Sequence, residues 1–136
     1  MIQRIQSVWF LLAATCAFLS LKLPFYVGTT KDHLSAYQLT GMENYLLMFL
    51  TIIIGTLAFV TIFLFKRRRR QVRLSVLGMM LELLLLVMYY LEVREFTDGT
   101  YALTALLQGC VLFFFFMALR GISKDIKIVK ESNRLR

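Results

Sequence analysis

Four stretches of predominantly apolar residues dominate this sequence and limit what it can fold into. A helix that crosses the roughly 30 Å hydrocarbon core of a membrane needs about 17–25 such residues, because each residue adds about 1.5 Å. All four stretches reach this length, and together they contain only two charged residues, Lys22 and Glu82. With 59% hydrophobic and 18% charged residues, the composition excludes an ordinary soluble domain. The sequence predicts four transmembrane helices, at about residues 7–23, 45–65, 74–91 and 101–119.

The connections between these stretches are short, so consecutive helices should be antiparallel neighbours. We therefore expect residues 1–136 to form one domain, an all-α membrane protein with its helices in an up-down-up-down bundle. Arg4 ahead of an apolar segment is also typical of a signal peptide. The apolar run continues beyond Ala17 without a clean cleavage site, so we expect the first helix to be retained. The longest connection, 24–44, should contain a turn near Gly28 between short extended or helical pieces.

Basic residues are concentrated in three segments that lie on the same side of the membrane if there are four spans. The N-terminus, the loop 66–73 and the tail 120–136 hold one, six and six of the 16 lysines and arginines. Short segments rich in Lys and Arg remain in the cytoplasm. The charge distribution therefore predicts that both termini are cytoplasmic.

The loop between the second and third helices contains the run Arg67, Arg68, Arg69 and Arg70. Its simplest role is to anchor the topology, with side chains that meet anionic lipid headgroups at roughly 1 kcal/mol each. The alternative is a docking site for a protein partner. We do not expect a nucleic acid as the ligand, because the run is short and no aromatic residues alternate with the basic ones to stack on bases.

The tail 120–136 is amphipathic, with Ile122, Ile126 and Val129 at helical spacing and basic residues mainly on the other faces. A basic amphipathic C-terminal helix of this kind is expected to lie on the inner leaflet. The alternative is that it continues the fourth helix into the cytoplasm and serves as a docking arm. The residues that would contact lipid or a partner are Lys124, Lys127, Lys130 and Arg134.

Small residues at helical spacing predict where the helices pack. Lipid gives helices no hydrophobic reason to associate, so close approach of the backbones has to supply the contact. Small pairs occur in the first and fourth helices, and one glycine lies in the third. The expected packing residues are Ala13, Ala17, Gly78, Ala105 and Gly109.

Glu82 is the only charged residue near the middle of a predicted span. A charge there costs about 2.5–3.5 kcal/mol on insertion scales, so such residues usually face the bundle and have a partner. Gln108 lies at nearly the same predicted depth on the fourth helix. We expect Glu82 to form a hydrogen bond with Gln108, or with Thr51 or Thr56 on the second helix. In this interpretation Glu82 holds the helices together; contact with a partner subunit and proton coupling in transport are the alternatives.

The sequence offers no recognisable catalytic or cofactor-binding motif. Cys16 and Cys110 lie in apolar segments without a CxxC or metal-ligand spacing, and His33 is the only histidine. We find no nucleophile with a base, no glycine-rich phosphate loop and no carboxylate pair. We therefore expect no enzyme activity, no cofactor and no metal site.

Both ends of the chain carry short motifs. Residues 1–6 read MIQRIQ and lead directly into an apolar helix, and the C-terminal part contains RGI at 120–122, Lys124-Asp125, Val129 and RLR at 134–136. Together with four spans and a basic middle loop, this pattern resembles a family of short membrane proteins from Bacteroidota that is catalogued only as a domain of unknown function. The resemblance covers essentially the whole chain. It implies a four-helix fold in a bacterial inner membrane, and it implies no activity or catalytic residues.

These observations favour a non-enzymatic inner-membrane protein, a small accessory subunit of a larger membrane complex such as protein translocation or envelope machinery, or a homo-oligomer. One alternative is a small proton-coupled transporter that uses Glu82. Against it, small multidrug transporters have their carboxylate on the first helix, whereas Glu82 is on the third. The other alternative is a membrane protein that binds anionic lipid through its basic tail.

Overall fold

The computed structural model describes residues 2–30, 33–102 and 105–134. These residues form four α-helices and three β-strands. The helices are α1 (Ile2–Ser20), α2 (Tyr45–Phe63), α3 (Arg68–Val93) and α4 (Ala105–Arg134), and a short 3₁₀ turn, Leu64–Lys66, joins α2 to α3. The strands are β1 (Pro24–Thr30), β2 (His33–Thr40) and β3 (Phe96–Tyr101). The mostly helical fold with four helices is as predicted.

The helices form a closed ring in which α1 and α3 each lie between α2 and α4. Neighbouring helices are antiparallel. Gln6, near the start of α1, lies beside Gly121 of α4, whereas Ser20, at the end of α1, lies beside Gln108. The same reversal relates α2 to α3, because polar contacts join the start of one to the end of the other. The bundle is therefore up-down-up-down.

Each helix buries one stripe of residues at alternating spacings of three and four, which is the pattern of a helix-bundle seam. The buried stripe of α3 consists of Gln71, Ser75, Gly78, Glu82, Leu85 and Tyr89. That of α4 consists of Gln108, Val111, Phe115, Ala118, Ile122 and Asp125. The outward faces carry large apolar residues, such as Phe49 and Leu106, which are 65% and 68% exposed. A bundle with an apolar outer surface and a partly polar interior suits a lipid environment.

Three of the described helices, α2, α3 and α4, are long and apolar enough to cross a membrane. This finding indicates a membrane protein. The apolar segment of α1, Ile5–Ser20, is shorter and is not one of these three. The first helix was predicted at 7–23 but lies at Ile2–Ser20. Residues 21–23 instead form the turn that leads into β1.

A small antiparallel sheet with the strand order β2-β1-β3 lies at one end of the bundle. The prediction of an all-α fold is wrong at this end, since the two connections there pair with each other. Gly28 and Gly99 lie opposite each other in β1 and β3, and a Cβ on Gly99 would lie 2.6 Å from the Val27 carbonyl oxygen. The predicted fourth helix starts late, at Ala105, because Tyr101 belongs to β3.

The opposite end of the bundle also differs from the prediction. The helix α3 begins at Arg68, so most of the arginine run is helical instead of forming a loop. The helix α4 continues without interruption to Arg134, so the tail extends the fourth helix. Its 30 residues form one rod, about 45 Å long at 1.5 Å per residue. No proline interrupts the helix in the described tail. Its glycine, Gly121, lies against the Gln6 side chain inside the bundle.

Candidate functional site

Polar residues line the seam of the bundle. The buried polar or charged side chains of the described residues are Gln6, Ser20, Thr51, Thr61, Gln71, Ser75, Glu82, Gln108 and Asp125. Several hydroxyls are satisfied by their own helix: Thr51 Oγ1 donates to the Leu47 carbonyl at 2.7 Å, and Ser75 Oγ donates to the Gln71 carbonyl at 2.7 Å. These groups therefore need no partner on another helix.

Glu82 lies at the centre of this seam and is fully buried. Neither of its carboxyl oxygens has a hydrogen-bond partner among the described residues. The predicted hydrogen bond to Gln108, Thr51 or Thr56 is therefore wrong. Thr51 donates to its own helix, and Thr56 is exposed and donates to the Ile52 carbonyl at 2.7 Å.

Gln108 instead joins α4 to α1. Its Nε2 donates to Ser20 Oγ at 3.1 Å, and Ser20 Oγ donates to the Ala17 carbonyl at 2.7 Å. Tyr89 lies two helical turns from Glu82 on the same stripe of α3, and its buried hydroxyl has no hydrogen-bond partner among the described residues. Glu82, Tyr89, Gln108 and Ser20 thus form a polar column that runs from the middle of the bundle towards the sheet.

Tyr89 links this column to the sheet. Its ring stacks on Phe25 of β1 with centroids 4.2 Å apart, and its hydroxyl lies close to Gly41, where an added Cβ would be 2.9 Å away. The sequence did not predict this contact. Tyr89 falls on the Glu82 stripe, but the sequence does not indicate which residue of the connection 24–44 its ring would contact.

The small residues divide into two groups. Ala13 and Ala17 are buried, and Gly78 lies against the Phe115 ring, where an added Cβ would be 2.7 Å from the nearest ring carbon. Gly109 does not pack as predicted: it is exposed, and nothing lies within 4 Å of an added Cβ. Its neighbour on the predicted face, Ala105, is only half-buried. The buried stripe of α4 passes through Gln108, so Gly109 is turned away by about 100°.

The opposite end of the bundle is strongly basic, and we refer to residues 64–73 and 120–134 as the basic end. The described residues there include eleven basic side chains and only two acidic ones, Asp125 and Glu131. The exposed basic residues include Arg67, Arg69, Arg70, Lys124, Lys127, Lys130 and Arg134.

Arg68 differs from the rest of the arginine run because it is partly buried and paired. Its Nη1 donates to the Asp125 carbonyl at 3.4 Å, and its Nη2 lies 3.9 Å from Asp125 Oδ2. This contact ties the start of α3 to α4. The role of Asp125 was not predicted, although a single acidic residue on the apolar side of a basic helix was a usable signal.

Polar contacts also join α2 and α3 at the sheet end. Asn44 caps α2 by accepting a hydrogen bond from the Leu46 amide at 3.0 Å, and its Nδ2 donates to Glu92 Oε1 at 2.6 Å. An asparagine directly before an apolar run is a common helix start signal. Within the described residues, no three His, Cys, Asp or Glu side chains could hold a metal ion.

Comparison with known proteins gives a family but no named relative. Neither the curated proteins nor the solved structures include a match to this chain. One family model matches residues 2–135. Since that match covers nearly the whole chain, the protein belongs to the family described as Domain of unknown function (DUF4293).

Proposed function

We propose that this protein is a non-enzymatic, multi-pass protein of the bacterial inner membrane and a small subunit of a larger membrane complex. It crosses the membrane with all four helices and keeps both termini in the cytoplasm. Its partner binds the basic end, where the C-terminal part of α4 forms a docking arm.

The observation that carries this proposal is the projection of α4 beyond the bundle. Asp125 is level with Arg68, the first residue of α3, so the helix continues past the ring of helices from there. Every side chain from 127 to 134 is exposed, including the apolar Ile128 and Val129, which are 46% and 45% exposed. A straight continuation of a spanning helix leaves the membrane and does not lie along it. An exposed helix with apolar and basic faces fits the groove of a protein partner.

The charge distribution supports the orientation. At the sheet end, the described basic residues Lys22 and Arg94 are outnumbered by the acidic residues Glu43, Glu92, Glu95 and Asp98. The basic end has the reverse balance. Segments rich in Lys and Arg stay on the cytoplasmic side, so the docking arm would face cytoplasmic partners or the cytoplasmic domains of membrane proteins.

The test is the composition of the native particle. The chain would be tagged at its chromosomal locus, extracted gently in detergent, and analysed for mass and co-purifying proteins. We expect a particle larger than the protein alone, with companions in fixed stoichiometry. A chain truncated after Ile126 keeps the contact between Arg68 and Asp125 but lacks the arm, so its companions should be lost.

A double substitution, Ile128→Ser with Val129→Ser, separates the apolar contact from the charges and should also release the companions. Met42→Ser is the matched control, because Met42 is a similarly exposed apolar residue, at 55%, at the sheet end. It should leave the particle intact. A particle that contains only copies of this chain, or companions that remain on the truncated chain, would contradict the proposal.

A second candidate function, proton-coupled transport, is favoured by one observation. Glu82 is fully buried at mid-bundle, and its carboxyl oxygens have no hydrogen-bond partner among the described residues. Carboxyls inside membrane bundles commonly mark ion pathways. In proteoliposomes with an imposed pH gradient, a transporter would dissipate the gradient, and Glu82→Gln would abolish the flux. Ser75→Ala is the control, because Ser75 lies on the same stripe and bonds only its own helix in the structure. The subunit proposal predicts no flux above that of empty liposomes.

A further inference from the structure

A pocket opens at the basic end where α2 passes through the 3₁₀ turn into α3. It has a volume of about 350 Å³ and is lined by Phe63, Leu64, Lys66, Arg67 and Arg70. Of the five described residues that line the pocket, three are basic and none is acidic. The pocket combines a high positive charge density with an apolar wall.

The backbone strengthens the positive potential of the pocket. Arg67 is the N-cap residue of α3, and its side chain makes no capping hydrogen bond. The first turn of α3 contains no acidic residue. The N-terminus of a helix carries a partial positive charge and unpaired amides, both of which favour an anion. The three basic side chains and the helix terminus therefore act on the same small volume.

The apolar wall continues along the outside of α2. Phe63 is 66% exposed and packs edge-to-face with Phe59, one helical turn away, with ring centroids 5.4 Å apart. Phe59 is itself 48% exposed. This pair lies on the outward surface of an apolar helix, so in a membrane it faces lipid tails. The pocket thus has a cationic side at the end of the bundle and an aromatic side towards the hydrocarbon.

We infer that this pocket binds an anionic phospholipid, with the phosphate of the headgroup among Lys66, Arg67 and Arg70 and an acyl chain along Phe63 and Phe59. Charge complementarity selects the headgroup, and the aromatic pair distinguishes a lipid from free phosphate. Basic pockets between transmembrane helices are known to bind such headgroups. This site is independent of the docking arm and requires only that α2 spans a membrane.

The test uses the full chain purified in detergent, with lipid binding followed by native mass spectrometry and by the thermal unfolding midpoint. Phosphatidylglycerol is compared with phosphatidylcholine of identical chains and with inorganic phosphate. We expect phosphatidylglycerol to bind and to raise the midpoint, whereas the other two have little effect. Equal binding of both lipids, or equal stabilisation by inorganic phosphate, would overturn the inference.

A double variant, Arg67→Gln with Arg70→Gln, should weaken phosphatidylglycerol binding roughly tenfold or more. The matched control is Arg69→Gln with Arg73→Gln, which removes the same charge from exposed positions that do not line the pocket. It should change the affinity by less than about threefold, because these charges act only at longer range. Equal losses in the two variants would mean that the lipid responds to overall charge, which contradicts a defined site.

A separate substitution tests the role of the apolar wall. Phe63→Ala should weaken the binding of long-chain phosphatidylglycerol, and Phe116→Ala is the control, since Phe116 is a half-exposed aromatic residue on α4. All the substituted residues are exposed, so the variants should fold, and far-UV circular dichroism would verify this. Equal effects of the two phenylalanine substitutions would overturn the role assigned to the wall.

Discussion

At the scale of single residues, Gly78 and Gly109 show how position on a helix decides the importance of a small side chain. Both are glycines in apolar helices, but only Gly78 lies on a buried stripe. A methyl group at Gly78 would be 2.7 Å from a Phe115 ring that is fully buried and packed against Phe10. The ring has little room to move, so the glycine sets the distance between α3 and α4.

Gly78→Ala should therefore destabilise the bundle by about 1–3 kcal/mol, the usual cost of overpacking. Gly109→Ala should cost nothing, because its methyl group meets open space and alanine favours the helix. Unfolding in detergent can be followed by the fluorescence of Trp9, the only tryptophan. Equal stability of the two variants would contradict the packing described for α3 and α4.

Tyr37 provides a pH-dependent contact outside the bundle. Its hydroxyl donates to Glu43 Oε2 at 2.5 Å, and this hydrogen bond, followed by partial burial and the negative charges of Glu43 and Glu92, raises the pKa of Tyr37. Since the folded pKa lies above the unfolded one, the stabilisation is complete below about pH 10 and disappears as the pH rises through the folded pKa.

Tyr37→Phe removes this titration. We expect the wild-type chain to be more stable than the variant at neutral pH and the difference to shrink above about pH 10. Thermal midpoints measured across this range would show it. A difference that stays constant with pH would mean that the hydroxyl does not bond the carboxylate.

Glu82 shows which part of a residue's environment a sequence can predict. A charged residue in the middle of an apolar run is expected to turn inward, and Glu82 is buried. The absence of a hydrogen-bond partner for its carboxyl group among the described residues could not be predicted, because such contacts depend on rotamers and on helix rotation. The Gln108 amide turned towards Ser20 of α1, a residue 88 positions away in sequence.

At the scale of elements, helices were easier to predict than strands. Each helix contains its own backbone hydrogen bonds, so an apolar run of sufficient length is enough to indicate it. The strand β3 has only six residues and pairs with β1. Two whole helices, α2 and α3, separate these strands in the chain. The existence of β3 depends on the bundle bringing the two connections together, and no local pattern contains that information.

The contact between Arg68 and Asp125 should hold α4 against the bundle at the point where its last turns begin to project. Arg68→Ala would leave the buried Asp125 carboxylate without its basic partner, so residues 122–134 should fray more often. Hydrogen exchange of the amides in this segment should accelerate, whereas Arg69→Ala, at an exposed position, should leave it unchanged. Unchanged exchange in the Arg68 variant would show that α4 is held by apolar contacts alone.

At the scale of the whole molecule, an apolar bundle joins two ends of opposite charge. The basic end carries the proposed lipid pocket and the proposed docking arm, and the sheet end carries an excess of acidic residues. This difference in charge between the two ends could be predicted, because charges and the lengths of apolar stretches can be counted directly along the sequence. The closed ring of helices could be predicted as well, since short connections favour antiparallel neighbours.

The basic end can meet cytoplasmic partners and inner-leaflet lipids only if the bundle stands across the membrane in the proposed orientation. The most direct measurement is cysteine labelling in spheroplasts with a membrane-impermeant maleimide. Cys16 and Cys110 would first be replaced by alanine, and then Asp98→Cys or Lys130→Cys introduced at the two exposed ends. We predict that position 98 is labelled in intact spheroplasts and position 130 only after the membrane is opened. Labelling of both positions in intact spheroplasts, or of position 130 alone, would contradict the proposed topology.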